Sequence, residues 1–475
     1  MLKIMTDQYY PEGYLSAKKS QIVSNSRLCR AAIETGLDKF ILTRAFTRSK
    51  WRPLYIEDLQ KVDPEALGER NIPTKTLADV VESLIGAAFL DGGIDKALNC
   101  IRIFIPEVEW HTLHAARDIL AAQRPIRDEL PGTLTPLEGL IGYTFRNKTL
   151  AVEAMTHSSF NLGERTETCM ERLEFIGDAV LDDIVVSLLW DYSGSGGGRV
   201  YSHYEMHLFR AACVNGDLLG FLMMEWTYPQ ETTKVTSSAT YNDNNYYNNN
   251  NPPPTVETET INIPIWRLMR HSSQRLAGAQ SLAEDRHASE RDAILRVMQL
   301  QNQDNGDSDS NSDDCHYYYP WALLAHLQIP KSFADLFESI LGAVWVDSGD
   351  MDACKRVAER AGILPYLRRL LAAAAAGDRP VDVAHPKNQL GELVGKAGSD
   401  IVYETELRRK DDGGGAKEWV CKVVVGGELV VEVGEGVNRE EIVTKAADVA
   451  YRRLKARGMG GGGGGGVGDD DVVMT

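Results

Sequence analysis

The sequence lacks a long hydrophobic run, an apolar N-terminal segment and any Cys-x-x-Cys pair, and each absence excludes a class of protein. None of its apolar stretches approaches the roughly 20 residues that a membrane-spanning helix needs; even the alanine run Ala372–Ala376 is far too short. The first twenty residues carry Asp7, Glu12, Lys18 and Lys19, which is unlike a secretory signal. Seven scattered cysteines favour a reducing compartment and argue against a structural zinc site. We therefore expect a cytoplasmic or nuclear protein that is neither secreted nor bound to a membrane.

Basic residues are also scarce relative to acidic ones. The 475 residues include 51 Lys and Arg against 68 Asp and Glu, for a net charge of −17. This balance disfavours a protein whose only role is to neutralise phosphates. It leaves open an enzyme that acts on nucleic acid, because clustered carboxylates that hold metal ions add to the acidic count. The length suggests about three domains at roughly 150 residues each.

An internal repeat is the most informative feature. Lys75–Ala87 and Lys331–Ala343 share Lys, Ala, Asp, Glu, Ser, Gly and Ala at identical spacing, and each copy continues to an Asp-x-Gly. The period is far longer than that of a solenoid repeat, so it indicates two copies of a whole domain. Apolar residues recur at intervals of three and four in both copies, from Leu77 to Ala88 and from Phe333 to Val344, which predicts helices with one buried face.

The C-terminal region has a different pattern. A helical stretch, Asn388–Ala397, precedes three segments of alternating or β-branched residues, and a helix from about Glu440 to Lys455 follows. The segments are Val402–Leu407, Trp419–Val425 and Leu429–Val433. This order predicts a small α-β-β-β-α domain with an antiparallel sheet.

The composition gives provisional domain boundaries. We predict a first helical copy over residues 1–120, a proline-containing linker over 121–136, a second helical copy over 137–376, a small domain over 384–457 and a flexible Gly/Asp tail over 458–475. Residues 236–256, rich in Asn, Tyr and Pro, and residues 301–316, rich in Asp, Ser and Asn, are expected to be disordered insertions in the second copy.

A row of acids in the second copy suggests chemistry. Glu171, Glu174 and Asp178 stand at i, i+3 and i+7, so they share one face of the predicted helix, where their mutual repulsion is unfavourable without a cation. Asp335 and Glu338 form a second acidic ridge. Two such ridges facing each other would offer four carboxylates, the oxygen ligands that Mg²⁺ prefers. An acidic ridge is more often just a solvated helix face, but the glycine beside Asp178 indicates close packing or a ligand.

These residues resemble a known family. Glu171–Asp178 resembles the ribonuclease III signature, Thr156–Ser159 resembles its upstream helix motif, and Asp335 with Glu338 resembles its second acidic pair. Two such domains followed by a double-stranded-RNA-binding-like unit resemble the C-terminal part of Dicer. Ile265–His271 and Tyr319–Ala325 are similar to fungal Dicer-like proteins in particular.

The resemblance implies tandem, all-helical ribonuclease III domains and hydrolysis of double-stranded RNA with Mg²⁺, for which Mn²⁺ can substitute. It implies that Glu174, Asp178, Asp335 and Glu338 hold the metal, while Glu171 and Lys331 assist. The products would be short duplexes with a 5′-phosphate and a 3′ overhang, made for RNA silencing or antiviral defence. A non-catalytic duplex-binding or scaffold protein, or an inactive fragment, is the alternative.

The first copy departs from the family pattern. Asp79, Glu82, Lys75 and Glu12 match parts of a metal site, but no signature precedes them. A truncated gene model, a fragment and a reduced paralogue all remain open. We expect only a half-site here, so that the chain nicks one strand of a duplex or forms a homodimer through its second copies.

The C-terminal unit is a weaker match. The last helix should begin with a basic cluster, yet Val443 stands where a lysine is expected. Residues 384–457 hold 13 basic and 13 acidic residues, which is not the basic footprint of a strong RNA binder. Lys387 and Lys445 are the candidate RNA contacts. His157 is expected to be a hydrogen-bonded structural residue and not a metal ligand.

Overall fold

The structure is a computed structural model. It describes residues 12–41, 72–160, 169–194, 200–236, 255–299, 317–375, 381–396, 398–409 and 417–458. The chain divides into two compact units: the first comprises Met1–Asp128, Asn147–Leu150 and Val346–Gly349, and the second comprises the rest. The predicted class, helical domains followed by a small antiparallel sheet, is confirmed.

The first unit is built around one long helix. Its helices are α1 (Glu12–Ile22), α2 (Asn25–Glu34), α3 (Thr74–Phe104) and α4 (Leu113–Ala122). Leu77, Ala78 and Val81 of α3 pack in a core with Leu28 and Phe104. The prediction of a continuous buried face on α3 is wrong at Leu84, whose exposed fraction is 39%.

Both copies of the repeat interrupt a helix at their Asp-x-Gly. In α3 the helical conformation breaks at Gly92 and Gly93, where Gly93 has φ +70°. In the second copy Gly349 follows the equivalent helix with φ +67°. A side chain is strained at such angles and glycine is not, which explains the shared glycine.

The second unit contains most of the helices. They are α5 (Pro136–Ile141), α6 (Lys148–Ala154, which begins in the first unit), α7 (Glu171–Gly194), α8 (His203–Cys213), α9 (Gly216–Glu225), α10 (Gln274–Met298), α11 (Trp321–Leu327), α12 (Ser332–Ser348, which ends in the first unit), α13 (Met351–Arg360) and α14 (Ile363–Ala375). The predicted buried face of α12 is confirmed, since Phe333, Leu336, Phe337, Ile340, Leu341 and Val344 are each at most 1% exposed. The helix α12 therefore lies at the centre of the unit.

The predicted linker 121–136 runs from the end of α4 to the first residue of α5 and includes a short 3₁₀ turn, Gly132–Leu134.

A β-hairpin interrupts the second copy, where the sequence predicted only helices. Strands β1 (Thr227–Thr236) and β2 (Thr255–Pro264) pair antiparallel along their full length. Thr236, Thr255 and Val256, assigned above to an insertion, therefore belong to these strands. Threonine and glutamate dominate both strands, so the apolar alternation that marks a strand in sequence is weak here. Residues 237–254, 301–316 and 459–475, whose disorder was predicted, lie outside the described residues.

The C-terminal domain has the predicted α-β-β-β-α order. Its elements are α15 (Pro386–Lys396), β5 (Ile401–Arg409), β6 (Lys417–Val425), β7 (Glu428–Gly436) and α16 (Arg439–Ala456), with strand order β5-β6-β7, all antiparallel. Upstream of it, β3 (Tyr317–Tyr318) pairs in parallel with β4 (Val381–Asp382). Leu390, Val423 and Ile442 lie in the core between the sheet and its two helices.

Within the described ranges, no helix is both long and apolar enough to cross a membrane.

Candidate metal centre

Two helices of the second copy touch along their backbones. A Cβ atom on Gly177 of α7 would lie 1.7 Å from the carbonyl oxygen of Glu338, and one on Gly342 of α12 would lie 2.1 Å from that of Leu173. Neither distance is possible for a side chain, so both positions require glycine. A helical glycine costs about 1 kcal/mol relative to alanine. The close packing predicted from the glycine in the signature is confirmed.

This crossing brings acids of both helices together. Carboxylate oxygens of Glu174, from α7, and of Asp335 and Glu338, from α12, all lie within 4.8 Å of one another. Glu174 is buried, with an exposed fraction of only 7%. Three of the four predicted ligands therefore meet at one point.

Two acids of this cluster, Glu174 and Glu338, resist ionisation. Burial and the charge of Asp335 raise the pKa of Glu174 to about 7. Burial, followed by the charges of Asp178, Asp335 and Glu174, raises the pKa of Glu338 to about 8. Such shifts arise when carboxylates crowd together in a site that water reaches poorly. A divalent cation would relieve this repulsion, and an all-oxygen donor set fits Mg²⁺.

Lys331 partly balances the negative charge. Its Nζ donates hydrogen bonds to Oε1 of Glu174 at 3.0 Å and to Oδ1 of Asp335 at 2.6 Å. Burial alone would lower the pKa of Lys331, but its hydrogen bonds with Asp335 and Glu174 outweigh burial, so the pKa is raised. Lys331 thus links the acids of the two helices and stays protonated.

The other two acids of the signature are less central. Asp178 is not one of the three clustered acids, but its charge contributes to the raised pKa of Glu338. Glu171 begins α7 and acts electrostatically on His157. The pKa of His157 is lowered, mainly by burial. Its Nδ1 accepts a hydrogen bond from the backbone N–H of Ser159 at 3.1 Å, as a structural histidine would.

A buried ion pair next to the signature acids was not predicted from the sequence. Arg172, inside the signature, makes two 3.0 Å hydrogen bonds to Glu153 of α6. Both residues are buried. Removing one partner of such a pair destabilises the fold by more free energy than the intact pair contributes, because the other charge is left buried and unpaired. A buried arginine requires a buried acid, but nothing in the sequence identifies a partner 19 positions away. Asp182, one helical turn after Asp178, is paired with Arg210, and both of these side chains are partly exposed.

The half-site of the first copy is not assembled in the same way. Lys75 Nζ lies 2.9 and 2.8 Å from the oxygens of Asp79, as Lys331 pairs with Asp335, but within the described ranges no cluster of three acids includes Asp79 or Glu82. The side chain of Glu12 lies outside the described part of the chain. Gly86, the counterpart of Gly342, has no atom within 4 Å of a Cβ placed on it. The described part of the first copy therefore shows no helix crossing at this position.

The two candidate RNA contacts are engaged with acids. Lys387 Nζ lies 2.5 Å from Oε1 of Glu440. Lys445 contacts Oε1 of Glu441, one helical turn earlier on α16. Both acids belong to the helix end that was expected to be basic.

Two family models match this chain. The family model described as "Ribonuclease III domain" matches residues 2–93 and 171–349. The model described as "Dicer-like protein 2, dsRNA binding domain" matches residues 379–459. The first match contains the acid cluster, and the second contains the α-β-β-β-α domain.

The curated relatives of the chain carry the name that also appears in the description of the second family model. The chain is 41% identical to "Dicer-like protein 2" of Cryphonectria parasitica over 458 residues, which are 95% of this chain and 30% of that protein. It is 39% identical to "Dicer-like protein 2" of Pyricularia oryzae over 92% of this chain and 28% of that protein. The chain thus spans less than a third of the length of these relatives. The family match covers more than half of its residues, and the chain belongs to the ribonuclease III family, a family of endoribonucleases that act on phosphodiester bonds.

Proposed function

We propose that this chain is a Mg²⁺-dependent endoribonuclease that hydrolyses double-stranded RNA at the acid cluster of its second copy. The observation that supports this most directly is the meeting of Glu174, Asp335 and Glu338 within 4.8 Å. A solvated acidic face, the ordinary alternative, would not bury Glu174 or raise the pKa of Glu338 to about 8.

Each residue has a distinct role in this proposal. Glu174, Asp335 and Glu338 hold the metal, and Asp178, whose charge reaches Glu338, completes the set. Lys331 holds Glu174 and Asp335 in position through its two hydrogen bonds. Glu171, at the start of α7, adds negative charge that supports the site or orients the RNA. A bound Mg²⁺ supplies Lewis acidity for the phosphate and lowers the pKa of water, and Mn²⁺ can take its place.

The substrate and biological role are proposed from the family. Matches to a ribonuclease III domain and to a dsRNA-binding domain favour duplex RNA as the partner. A-form duplexes are selected by shape and by 2′-hydroxyl groups more than by base sequence. The products would be short duplexes with a 5′-phosphate and a 3′ overhang that serve RNA silencing or antiviral defence in the cytoplasm or nucleus.

The test is the removal of one ligand. Glu338→Ala should lower the rate of duplex cleavage by at least about 100-fold, because transition-state stabilisation worth roughly 3 kcal/mol is lost with the metal. Fold, by circular dichroism, and duplex affinity should be nearly unchanged. Asp285→Ala, which removes an exposed acid of α10, is the matched control and should cleave normally. A wild-type chain that binds duplex but never cuts it, at any Mg²⁺ or Mn²⁺ concentration, would favour the scaffold alternative instead.

A further inference from the structure

The last helix of the C-terminal domain is capped by a residue that also bonds to the second copy. Asn438, the N-cap of α16, accepts the backbone N–H of Glu441 through Oδ1 at 2.9 Å. Its Nδ2 donates to the carbonyl oxygen of Ala325 at 2.8 Å. Ala325 lies in the last turn of α11, where carbonyls have no partner within the helix. One buried side chain therefore satisfies the ends of two helices.

A buried acid closes the same helix end. Glu441 has an exposed fraction of 0%. Its carboxylate accepts the backbone N–H of Val437 at 2.8 Å and is hydrogen-bonded with Nδ1 of His326 at 2.9 Å. A helix start can bind a phosphate when its N–H groups are open to solvent. Here protein groups fill that position, and the acids Glu440 and Glu441 would repel a phosphate.

A short connection joins this contact to the metal centre. After α11, Gln328 adopts a left-handed conformation with φ +49° and contacts Arg286. Ile329 packs so closely on α9 that a Cβ atom on Gly220 would lie 2.8 Å from its Cγ2. Two residues later, Lys331 reaches Glu174 and Asp335. Residues 328–331 are thus held by contacts with Arg286, with α9 and with the two acids. The position of the end of α11 sets the position of the first of these residues.

We propose that the C-terminal domain acts as a positioning element for the metal centre: the start of α16 holds the end of α11, which places Lys331 between the two acids, and this helix end does not bind the duplex. A second contact, from the Tyr204 hydroxyl to Glu392 of α15 at 2.6 Å, fixes the first helix of the domain to the same unit. Asn438 and His326 are positioning residues in this scheme, because they act through Lys331. The inference rests on the proposed function only where cleavage is the readout.

The test variant is Asn438→Ser in the full chain. Serine keeps an N-cap oxygen for the Glu441 N–H but is too short to bond with Ala325. We expect the Mg²⁺ concentration that gives the half-maximal effect to rise about tenfold, at the low end of the range that outer-shell changes produce at metal sites. This is measured twice, as the Mg²⁺-induced shift of the thermal midpoint and as the Mg²⁺ dependence of cleavage. Duplex affinity without divalent metal should stay within about twofold of wild type, because no phosphate contact is lost.

The outcomes separate this inference from the proposed function. If wild type fails to cleave but the Mg²⁺-induced thermal shift moves as expected in Asn438→Ser, the proposed function fails and the positioning role stands. A large loss of duplex affinity with an unchanged Mg²⁺ response would overturn the inference, and so would no change in either quantity. His326→Ala, which removes only the bond to Glu441, serves as a second variant if Asn438→Ser does not fold, and the same result is expected.

Discussion

Gly177 and Gly342 lie against each other where α7 and α12 cross. A Cβ atom on Gly342 would lie 3.1 Å from the backbone nitrogen of Gly177 and 2.1 Å from the carbonyl oxygen of Leu173. This contact sets the distance between the two helices, and with it the separation of Glu174 from Asp335 and Glu338. The acids on either side can approach within 4.8 Å of one another only because neither glycine carries a side chain.

The internal repeat offers a matched pair of substitutions to test this relationship. Gly342→Ala should lower the free energy of unfolding by about 1–3 kcal/mol, since overpacking forces the helix backbones apart. It should also abolish most cleavage. Gly86→Ala, at the equivalent position of the first copy, meets no atom within 4 Å and should stabilise by up to about 1 kcal/mol through helix propensity. Denaturant unfolding and cleavage rates check both, and equal effects of the two substitutions would contradict the proposed role of the crossing.

Mg²⁺ should stabilise the protein more at alkaline than at acidic pH. Without metal, the pKa of Glu174 is about 7 and that of Glu338 about 8, both above their unfolded values. The folded state therefore holds extra protons between about pH 4.5 and 8, and metal-free stability falls as pH rises through this window. Metal ligation requires the ionised forms, so the Mg²⁺-induced shift of the thermal midpoint should grow from pH 6 to 8.5.

Glu338→Gln provides the control for that measurement. It removes one titrating group and one charged ligand, so both the fall in metal-free stability and the Mg²⁺ shift should shrink. A Mg²⁺ shift that is equally large in this variant would place the ion elsewhere.

The buried carboxylate of Glu441 should make stability sensitive to acid. Burial would raise the pKa of Glu441, but hydrogen bonds from Lys445, His326 and the backbone N–H of Val437 outweigh it and the pKa is lowered. A lowered carboxyl pKa contributes stability above the unfolded value of about 4.5, and this stability is lost as pH falls through the folded pKa. Glu441→Gln should lower the free energy of unfolding by about 1.5–3 kcal/mol at pH 7, as expected for the loss of hydrogen bonds to a charged group. The loss should become progressively smaller in acid.

The neighbouring residue gives the comparison. Glu440 forms an exposed ion pair with Lys387, so Glu440→Gln should lower the free energy of unfolding by at most about 1 kcal/mol at any pH. Urea midpoints at pH 7, 5 and 4 separate the two. If the two substitutions showed the same pH dependence, the lowered pKa of Glu441 would not be the cause.

Strand cutting should reveal how far the first copy contributes. Only the second copy shows a cluster of three acids among the described residues. We therefore expect the purified chain to nick one strand, or to cut both only as a dimer formed through its second copies. The assay uses a duplex labelled on each strand in turn, over a dilution series. Cutting of both strands that is independent of concentration and survives Asp79→Ala and Glu82→Ala would contradict this prediction.

Much of the molecule follows from local sequence patterns. The spacing of apolar residues predicted α12 and its buried face, and β-branched segments predicted the α-β-β-β-α domain, because these periodicities depend only on helix and strand geometry. The i, i+3 and i+7 spacing placed Glu171, Glu174 and Asp178 on one face of α7 for the same reason. The glycine beside Asp178 correctly indicated a close approach.

Tertiary structure decided what the acids and lysines contact. The sequence could not show that Asp178 lies outside the three clustered acids, that Arg172 pairs with Glu153, or that Asn438 bonds to Ala325. These contacts join residues that are 19 positions apart for Arg172 and Glu153 and 113 positions apart for Asn438 and Ala325, and only the packing of helices sets such distances. A helix period fixes which side chains share a face, whereas the partner opposite that face depends on how the chain folds back. This is why the sequence predicted the residues of the acid cluster but not the geometry in which they meet.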